Sequence, residues 1–496
     1  MMKHAFQIRH VLIAAGFLMV GASGHAQVPV ANAPDPAPAQ NLSPQDEILE
    51  LKKIIGGLTD RLGKLEKVVR EQQQKPQPEP APPPAATGGN AEAAASKPKP
   101  AGALLDSILG EKKAKPPQLE NIYDEGFWFV GPHDKLKMGA ILQIDDRYFL
   151  GGSPGDDTFQ IRRARLYATG VLGEKWGYML MPRWDRGTAG LHFAWIESQH
   201  LPWMRVRVGQ FKEPYSLEGV NSDLYLDFDE RSTWVANMVQ IEDIGAMIYG
   251  KLFDEHVEYG VGAFNGRGKD RSDTNDEKEI SAQLTFVPFR TSNEELLQDL
   301  YISFSGSVSK MEDDLRNSSF QTGAQTPFLT FAGGVDPQGD KERASAEIEW
   351  FAGPASVRGG AHHGRLNDLH LGSTQADFNI EGWTVSASWL LTGEDKPRNK
   401  PVKPKADFNP AKDGWGAFEL ATRYDVFEAD PQLVRQGFAT GTTCVNTFTV
   451  GFNWYFNKNM VLKLDYQNAS FAGPVVFNGE SVVDENTLTG RMQLEF

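Results

Sequence analysis

Residues 486–496 read NTLTGRMQLEF, and apolar and polar side chains alternate along them. The apolar parity carries Leu488, Gly490, Met492, Leu494 and Phe496, and the polar parity carries Thr489, Arg491, Gln493 and Glu495. A period of two is that of a β-strand with one apolar and one polar face. In lipid every backbone amide needs a partner, and a closed sheet supplies one for each. The stretch therefore predicts a strand of a membrane barrel, with Phe496 as the terminal aromatic residue typical of such proteins.

Similar alternating segments recur upstream about every 20 to 25 residues, without a helical core element among them. Sixteen segments are predicted as strands: 136–149, 158–172, 175–186, 189–199, 203–212, 243–253, 256–264, 278–288, 300–310, 343–351, 354–365, 381–391, 414–428, 445–456, 459–471 and 486–496. Single-chain bacterial barrels use even strand numbers in this range. The recurrence predicts an all-β fold, a transmembrane antiparallel β-barrel of about sixteen strands.

The lengths of the connections support this count, because short periplasmic turns alternate with long outside loops in bacterial barrels. Connections after strands two, four, six, ten and fourteen are short, whereas most connections after odd strands are long and polar. The connection after strand twelve, residues 394–413, is long and rich in Lys and Pro where a short turn is expected. A register slip at this point would give fourteen or eighteen strands, and both numbers stay open.

The chain before the barrel has a different composition. Five segments are predicted: a signal peptide at 1–26, a Pro-rich leader at 27–43, a coiled-coil helix at 44–74, a Pro/Ala-rich linker at 75–117 and the barrel at 118–496. The third segment repeats apolar residues at steps of three and four: Ile48, Leu51, Ile55, Leu58, Leu62, Leu65 and Val69. This heptad seam predicts a periplasmic coiled coil that needs partner helices. A helix packed on the rim of its own barrel is the alternative.

Composition and motifs exclude several classes of protein. Acidic residues outnumber Lys and Arg by 65 to 50, which argues against nucleic-acid binding. The HExxH and P-loop motifs do not occur, so the sequence predicts neither an enzyme nor a cofactor. A scattered Ser/His pair that hydrolyses lipid would escape this scan. The neighbouring His362 and His363 lack further ligands at metal-binding spacing, so no metal site is predicted.

Basic residues stand on the polar parity of several predicted strands. An Arg that faces lipid at mid-membrane costs about 2–4 kcal/mol, so these residues are expected to point inward. They are Arg163, Arg165, Arg205, Arg207, Arg423, Lys463 and Arg491. Arg162 has the opposite parity, which indicates either a loop edge or a β-bulge. Ordinary ion pairing in a hydrated wall and the guiding of anions are equally compatible with these charges.

Six motifs together resemble the phosphate-selective porin O and P family over nearly all of residues 122–496. They are IRRAR at 161–165, VGQFKEP at 208–214 with SLE at 216–218, ERS at 230–232, GAFNG at 262–266, GAFELATRY at 416–424 and GFNWY at 451–455. The resemblance implies a sixteen-stranded trimeric outer-membrane channel with an arginine-lined pore and an inward third loop. It also implies that the paired arginines of the family's second strand are Arg162 and Arg163.

The loop at 213–242, after the fifth predicted strand, occupies the position of that inward loop. Its candidate constriction residues are Ser222, Asp223, Asp227, Asp229, Glu230 and Arg231. The family's phosphate-binding lysines have no counterpart here, because the matching stretch reads GVNSD at 219–223 and retains only the Ser222 hydroxyl as a donor. A phosphate site needs several donors and positive charge in a poorly screened passage. An ordinary surface loop is the alternative.

These features predict an outer-membrane porin for passive diffusion of small hydrophilic solutes and ions, with a weak ionic preference and without strong phosphate selectivity. The expected partners are the lipid bilayer, further copies of the chain in a homotrimer, and the small anions or other solutes that pass. The alternative function is structural. In that case the coiled coil and the linker tether the outer membrane to the cell wall, with the barrel as the anchor.

Overall fold

The computed structural model describes residues 122, 123, 126–273, 276–311, 315, 318–477 and 479–496. These residues belong to one compact unit, Gly102–Phe496. The predicted signal peptide, leader, coiled coil and linker lie outside the described residues, so the structure does not test them.

The described residues form strands and a few short helices. In chain order, the strands are β1 (Ile122–Tyr123), β2 (Phe127–Val130), β3 (Lys135–Leu150), β4 (Thr158–Leu172), β5 (Trp176–Asp185), β6 (Thr188–Leu201), β7 (Met204–Lys212), β8 (Glu242–Leu252), β9 (Val257–Phe264), β10 (Glu279–Phe286), β11 (Asp299–Lys310), β12 (Ser319–Gln321), β13 (Pro327–Phe331), β14 (Val335–Pro337), β15 (Asp340–Ala352), β16 (Ala355–Leu371), β17 (Thr374–Leu390), β18 (Ala417–Ala429), β19 (Ala439–Gly441), β20 (Cys444–Asn457), β21 (Met460–Phe477) and β22 (Glu480–Glu495). The α-helices are α1 (Leu217–Val220), α2 (Thr233–Met238) and α3 (Gln432–Arg435), and single 3₁₀ turns lie at Glu295–Leu297 and Pro410–Lys412.

Sixteen strands form a closed antiparallel barrel: β3 to β11, β15 to β18 and β20 to β22. Each pairs with the next, and the ring closes where β22 pairs with β3 from Asn486 opposite Leu150 to Glu495 opposite Ile141. The predicted barrel of sixteen strands is confirmed, and the alternatives of fourteen and eighteen are wrong. The predicted strands all appear, and the long connection after β17 is a real insertion in the barrel.

Four strands extend further than the alternation predicts, all at the end that carries the long loops. β16 continues to Leu371, β17 begins at Thr374, β21 continues to Phe477 and β22 begins at Glu480. Above the membrane both faces of a strand meet water or polar loops, so the apolar parity disappears there. The exposed pair between Arg365 on β16 and Asp377 on β17 illustrates such a region. The backbone hydrogen bonds between these strands therefore continue into a region where apolar and polar residues no longer alternate.

The side-chain pattern on β22 follows the predicted parity. Leu488 and Met492 are 39% and 38% exposed, whereas Arg491 between them is fully buried. Exposed Trp176, Trp203 and Trp389 lie near the short-turn end of the barrel, as in the aromatic girdles of outer-membrane barrels. None of the described helices is both long enough and apolar enough to cross a membrane.

Loops fill one side of the barrel interior. The largest apolar cluster combines inward side chains of β17, β18, β20 and β21 with α2, the short sheet of β12, β13 and β19, and residues 433–438. Its largest members are Trp234, Phe320, Phe328, Phe331, Phe378, Phe427 and Phe438. A cavity of about 850 Å³ lies along the opposite wall, between β5 and β10.

Candidate functional site

The loop at 213–241 lies inside the barrel, and its first turn is fixed by Glu347 on β15. The carboxylate of Glu347 accepts hydrogen bonds from Ser216 Oγ at 3.0 Å and from the backbone N–H groups of Leu217 at 2.8 Å and Glu218 at 3.3 Å. Exposed N–H groups at the start of a helix favour such a carboxylate. The surface-loop alternative is wrong, because most of this loop is buried against the barrel wall.

The second half of the loop docks through Trp234 on α2. Its ring stacks on His362 of β16 at 4.7 Å between ring centroids, and its Nε1–H donates to the carbonyl of Ile380 at 3.3 Å. A Cβ at Gly382 would lie 2.6 Å from Trp234 Cδ1, so only glycine leaves room for the indole at this position. His362 is buried inside while His363 is exposed outside, so the two histidines cannot share a metal.

A β-bulge in β4 places two arginines on the inner face. Gln143 pairs with Arg163 and the next residue, Ile144, pairs with Ile161, so Arg162 is the extra residue. Bulges re-aim side chains in this way. Arg162 donates to Glu230 at 2.6 and 2.9 Å, and Arg163 Nε lies 2.8 Å from Asp223 Oδ2. The opposite parity of Arg162 is therefore explained by the β-bulge and not by a loop edge.

Asp223 is the most heavily paired acid of the loop. Its carboxylate lies 2.8 Å from Arg163, 3.1 Å from Arg165 and 3.3 Å from Arg231, and Lys212 Nζ is 3.7 Å away. Arg165 also binds Asp185 at 2.6 Å. Four basic groups therefore surround one buried carboxylate.

Further ion pairs join the inward loop to basic residues on β21 and β22. Arg491 donates to Asp145 at 2.6 and 2.7 Å and lies 3.2 Å from Glu230. It also donates a hydrogen bond to the backbone carbonyl of Asp229. Lys463 donates to the carbonyl of Leu226 at 2.5 Å. Burial would raise the pKa of the Glu230 carboxyl, but the guanidinium of Arg162 beside it holds that pKa well below its usual range.

We call these interactions the charged layer, which consists of the loop acids and their partners on the wall. Its members are Arg162, Arg163, Arg165, Asp223, Asp227, Asp229, Glu230, Arg231, Lys463 and Arg491. Arg423 borders it and donates to the carbonyl of Glu230 at 2.9 Å while pairing with Asp425 at 3.2 Å. The Ser222 hydroxyl accepts a hydrogen bond from the Leu224 N–H at 3.3 Å.

Two predicted residues lie apart from this layer. Both Arg205 and Arg207 on β7 contact Glu197 of β6. Arg205 lies 3.5 Å from its carboxylate, and Arg207 donates a hydrogen bond to it at 2.8 Å. They are nearer the short-turn end of the barrel than Lys212, the last residue of β7. The sequence placed all of these arginines in one lumen, but the structure divides them between two levels.

The insertion between β17 and β18 reaches the charged layer from the short-turn end. Lys396 lies 2.7 Å from Asp227 and 2.5 Å from Glu419, and its side chain is 3% exposed. Arg398 binds Glu349 at 2.9 Å, and the Asn399 side chain accepts the N–H of Ser222 at 2.6 Å. Sequence reasoning missed these residues, because it treated the Lys/Pro-rich composition of 394–413 only as a problem of register.

Two more basic residues on the wall were missed. Arg343 on β15 is fully buried and binds Glu213 at 2.9 Å as well as Glu279. Arg358 on β16 binds Asp227 and lies 3.6 Å from Glu349. Strand parity would have identified both, since Arg343 shares its parity with the inward Glu347.

Two cavities lie on either side of the charged layer. The outer cavity has a volume of about 300 Å³, and Arg162, Arg186, Lys269 and the long loop at 321–325 line it. The periplasmic chamber has a volume of about 850 Å³ and extends from Lys212 to the short turns at 202–203 and 254–255. Lys212 and Asp223 separate the two volumes.

One group of the described residues has the composition of a metal site. Ligand atoms of His192, Asp223 and Glu242 lie within 4.8 Å of one another. However, Arg165 Nη1 is 2.9 Å from His192 Nε2, and Asp223 already faces four basic groups. A divalent cation would have to displace these basic groups, so Arg165 and its neighbouring bases already supply the positive charge at this place.

Over residues 136–496 the sequence matches the family of phosphate-selective porins O and P. The chain belongs to this family. The porin is therefore an outer-membrane channel for small solutes, which confirms the resemblance drawn from the six motifs. No curated protein of assigned function is similar enough in sequence to count as a relative.

Solved structures of similar fold are distant in sequence. The outer-membrane channel DcaP of Acinetobacter baumannii is 12% identical, with a TM-score of 0.48 over 75% of this chain and 99% of that one. The anion-selective porin of Comamonas acidovorans is 10% identical, with a TM-score of 0.47 over 73% and 100%. OmpT of Vibrio cholerae in a trimer form is 10% identical, with a TM-score of 0.45 over 73% and 99%.

Proposed function

We propose that this porin passes small hydrophilic solutes and ions passively, with a weak ionic preference and without strong selectivity for phosphate. The pairing of Asp223 with Arg163, Arg165 and Arg231 is the observation that carries this proposal. A guanidinium that is bound to a buried carboxylate presents a reduced field and fewer free donors to a passing anion. The wall arginines and the loop acids thus offset each other within the charged layer.

A phosphate ion would have to break these pairs in order to bind. Selective phosphate binding needs several donors that converge on an uncompensated positive site. Here Arg162 donates twice to Glu230 and Arg491 donates twice to Asp145, so the donors on these edges of both guanidinium groups are already engaged inside the barrel. The Ser222 hydroxyl, the donor that remains from the family pattern, lies beside the Leu224 N–H and adds no charge.

Planar-bilayer recordings of the purified porin test this proposal. In a potassium chloride gradient we expect a small reversal potential of either sign, since neither ion is strongly excluded. Phosphate added to the chloride solution should reduce the current only at concentrations comparable with those of chloride. Block of the chloride current by micromolar phosphate, or a reversal potential close to the ideal value for one ion, would overturn the proposal.

We further propose a homotrimer with its N-terminal segment in the periplasm. The family implies a trimer, and the heptad seam at 48–69 favours association of several chains. The seam and the Pro-rich linker also support the tether as a second role that is compatible with transport. Deletion of residues 45–71 should leave single-channel conductance unchanged and abolish co-sedimentation with the cell wall. Unchanged co-sedimentation would exclude the tether.

A further inference from the structure

The periplasmic chamber has walls that a hydrated channel does not need. Its volume of about 850 Å³ lies between β5 and β10, and Phe193, Trp195, Phe211 and Tyr249 form its inner surface together with Met179 and Met247. The lumen of a bacterial barrel is ordinarily polar. A cavity of this size that combines aromatic walls with charged side chains can hold a small molecule, for which volumes of about 300–1,000 Å³ are usual.

The aromatic side chains are held in place by a cation. The guanidinium of Arg207 lies 4.1 Å from the centre of the Trp195 ring and 4.9 Å from that of Tyr249. These cation–π contacts and the hydrogen bond from Arg207 to Glu197 restrict the side chains of Trp195 on β6 and Tyr249 on β8. On the other side, Phe211 packs edge-on against Phe264 at 5.5 Å. The aromatic surfaces are thus positioned before any solute arrives.

Arg205 supplies a charge that the chamber can use. Glu197 is the acid beside both Arg205 and Arg207, and it is 1% exposed behind them. Two guanidinium groups around one carboxylate leave an excess of one positive charge. The Arg205 side chain is 40% exposed, and its contact with Glu197 is long, at 3.5 Å. Part of its guanidinium therefore faces the open volume.

Two acids at the rim of the chamber, Glu255 and Glu258, are paired with basic side chains. Lys251 lies 3.0 Å from Glu255 and 3.3 Å from Glu258, and Arg398 lies 3.3 Å from Glu258. Hydrogen bonds from Lys251 and Arg290 hold the pKa of the Glu255 carboxyl below its usual value, so it stays charged and paired. Lys251 is exposed but paired, so Arg205, whose contact with Glu197 is long, is the cation that the chamber can use beside the aromatic walls.

We propose that the periplasmic chamber is a binding site for organic anions that combine one aromatic ring with one carboxylate. The ring packs among Phe193, Trp195 and Phe211, and the carboxylate binds the guanidinium of Arg205. This inference deepens the proposed function, because it adds an attractive site to a passage that otherwise discriminates weakly. A solute that lacks either the ring or the charge uses only half of the site.

The test compares three probes on the full-length porin in planar bilayers: benzoate, acetate and benzyl alcohol. We expect benzoate to interrupt the chloride current at lower concentrations than acetate, which has the charge without the ring. Benzyl alcohol has the ring without the charge and should also be weaker. Equal effects of benzoate and acetate would overturn the proposal.

Variants assign the effect to the chamber. Trp195→Ala should weaken the benzoate block by about 2- to 13-fold, since an aromatic pair contributes about 0.5–1.5 kcal/mol. Arg205→Gln should reduce the block by benzoate to the level of benzyl alcohol. Trp415→Ala, which removes an exposed tryptophan, is the matched control and should leave the block unchanged. If neither chamber variant changes the block, the site is elsewhere and the proposal fails.

A second measurement separates this inference from the proposed function. Calorimetric titration of benzoate into the detergent-solubilised protein reports binding without any current, and it also covers a variant that inserts poorly. Binding of benzoate to a protein that conducts no ions would leave the chamber proposal standing and overturn the channel proposal. A weakly selective current with no benzoate binding would do the reverse.

Discussion

Individual residues of the charged layer act through the pairs that they make. Asp223 illustrates this, since three arginines lie within 3.3 Å of its carboxylate and Lys212 is the fourth neighbouring base. The side chain of each partner is at most 14% exposed, so water screens these charges poorly. The net field in the lumen is consequently sensitive to the loss of a single charge.

Asp223→Asn should shift the ionic preference toward anions. Removing a negative charge changes the energy of an ion about 4 Å away by about 1–4 kcal/mol, depending on local hydration. The reversal potential in a potassium chloride gradient measures this shift. Asp484→Asn, at an exposed position of β22, is the control and should not change the potential. An unchanged potential in the Asp223 variant would place the ion path away from the charged layer.

Arg491→Ala should destabilise the barrel strongly. Arg491 and its partner Asp145 are both fully buried, and removing one partner of a buried pair costs about 3–5 kcal/mol. Arg365→Ala removes a pair whose side chains are 45% and 50% exposed, so its cost should be about 0–1 kcal/mol. Urea titration in detergent gives the free energy of unfolding for both variants. Similar losses in the two variants would contradict this account of the lumen.

At the scale of elements, two bulges and one insertion shape the lumen. The bulge at Arg162 on β4 has a counterpart on β6, where Met181 pairs with Phe193 and Pro182 pairs with Leu191. His192 is the extra residue there, and it is buried beside Arg165. Proline suits the strand opposite a bulge, because it has no N–H group to leave unpaired. Both bulges add an inward polar side chain at the level of the charged layer.

The insertion between β17 and β18 is expected to hold the inward loop from below. The double variant Lys396→Ala, Arg398→Ala removes its ion pairs with Asp227, Glu419 and Glu349. Since a broken buried pair costs about 3–5 kcal/mol, the insertion should detach and the single-channel conductance should rise. Lys412→Ala, on the exposed turn of the same insertion, is the control. A conductance equal to that of the wild type would show that the insertion does not narrow the passage.

For the whole molecule, the apolar cluster on one side predicts an ion path on the other. In a Cys444→Ser background, Gln283→Cys places a thiol in the periplasmic chamber, and Thr447→Cys places one in the buried wall beneath α2. A small charged thiol reagent should block the current of the first variant rapidly and that of the second far more slowly. Equal rates would mean that the passage runs through the middle of the barrel.

Much of the fold could be predicted because the membrane imposes a simple rule on every strand. Leu488 and Met492 must face lipid and Arg491 must not, so parity alone orients β22. The site was less predictable, since its contacts join residues that are remote in sequence. Arg162 and Glu230 are 68 residues apart, and Arg491 and Asp145 are 346 apart. Parity gives the face of a side chain but not the loop that it meets.

The sequence by itself predicted a barrel of about sixteen strands with its arginines on the inward face, because period-two alternation follows from lipid on one side and water on the other. The inward third loop was predicted from the resemblance to the porin family. Only the tertiary structure decided which charges neutralise each other, that Arg162 lies in a bulge, and that residues 396–399 of the insertion reach into the lumen. Those outcomes depend on how loops fold across a cavity. Several of these loops are polar and without period, so packing against the barrel wall fixes their positions.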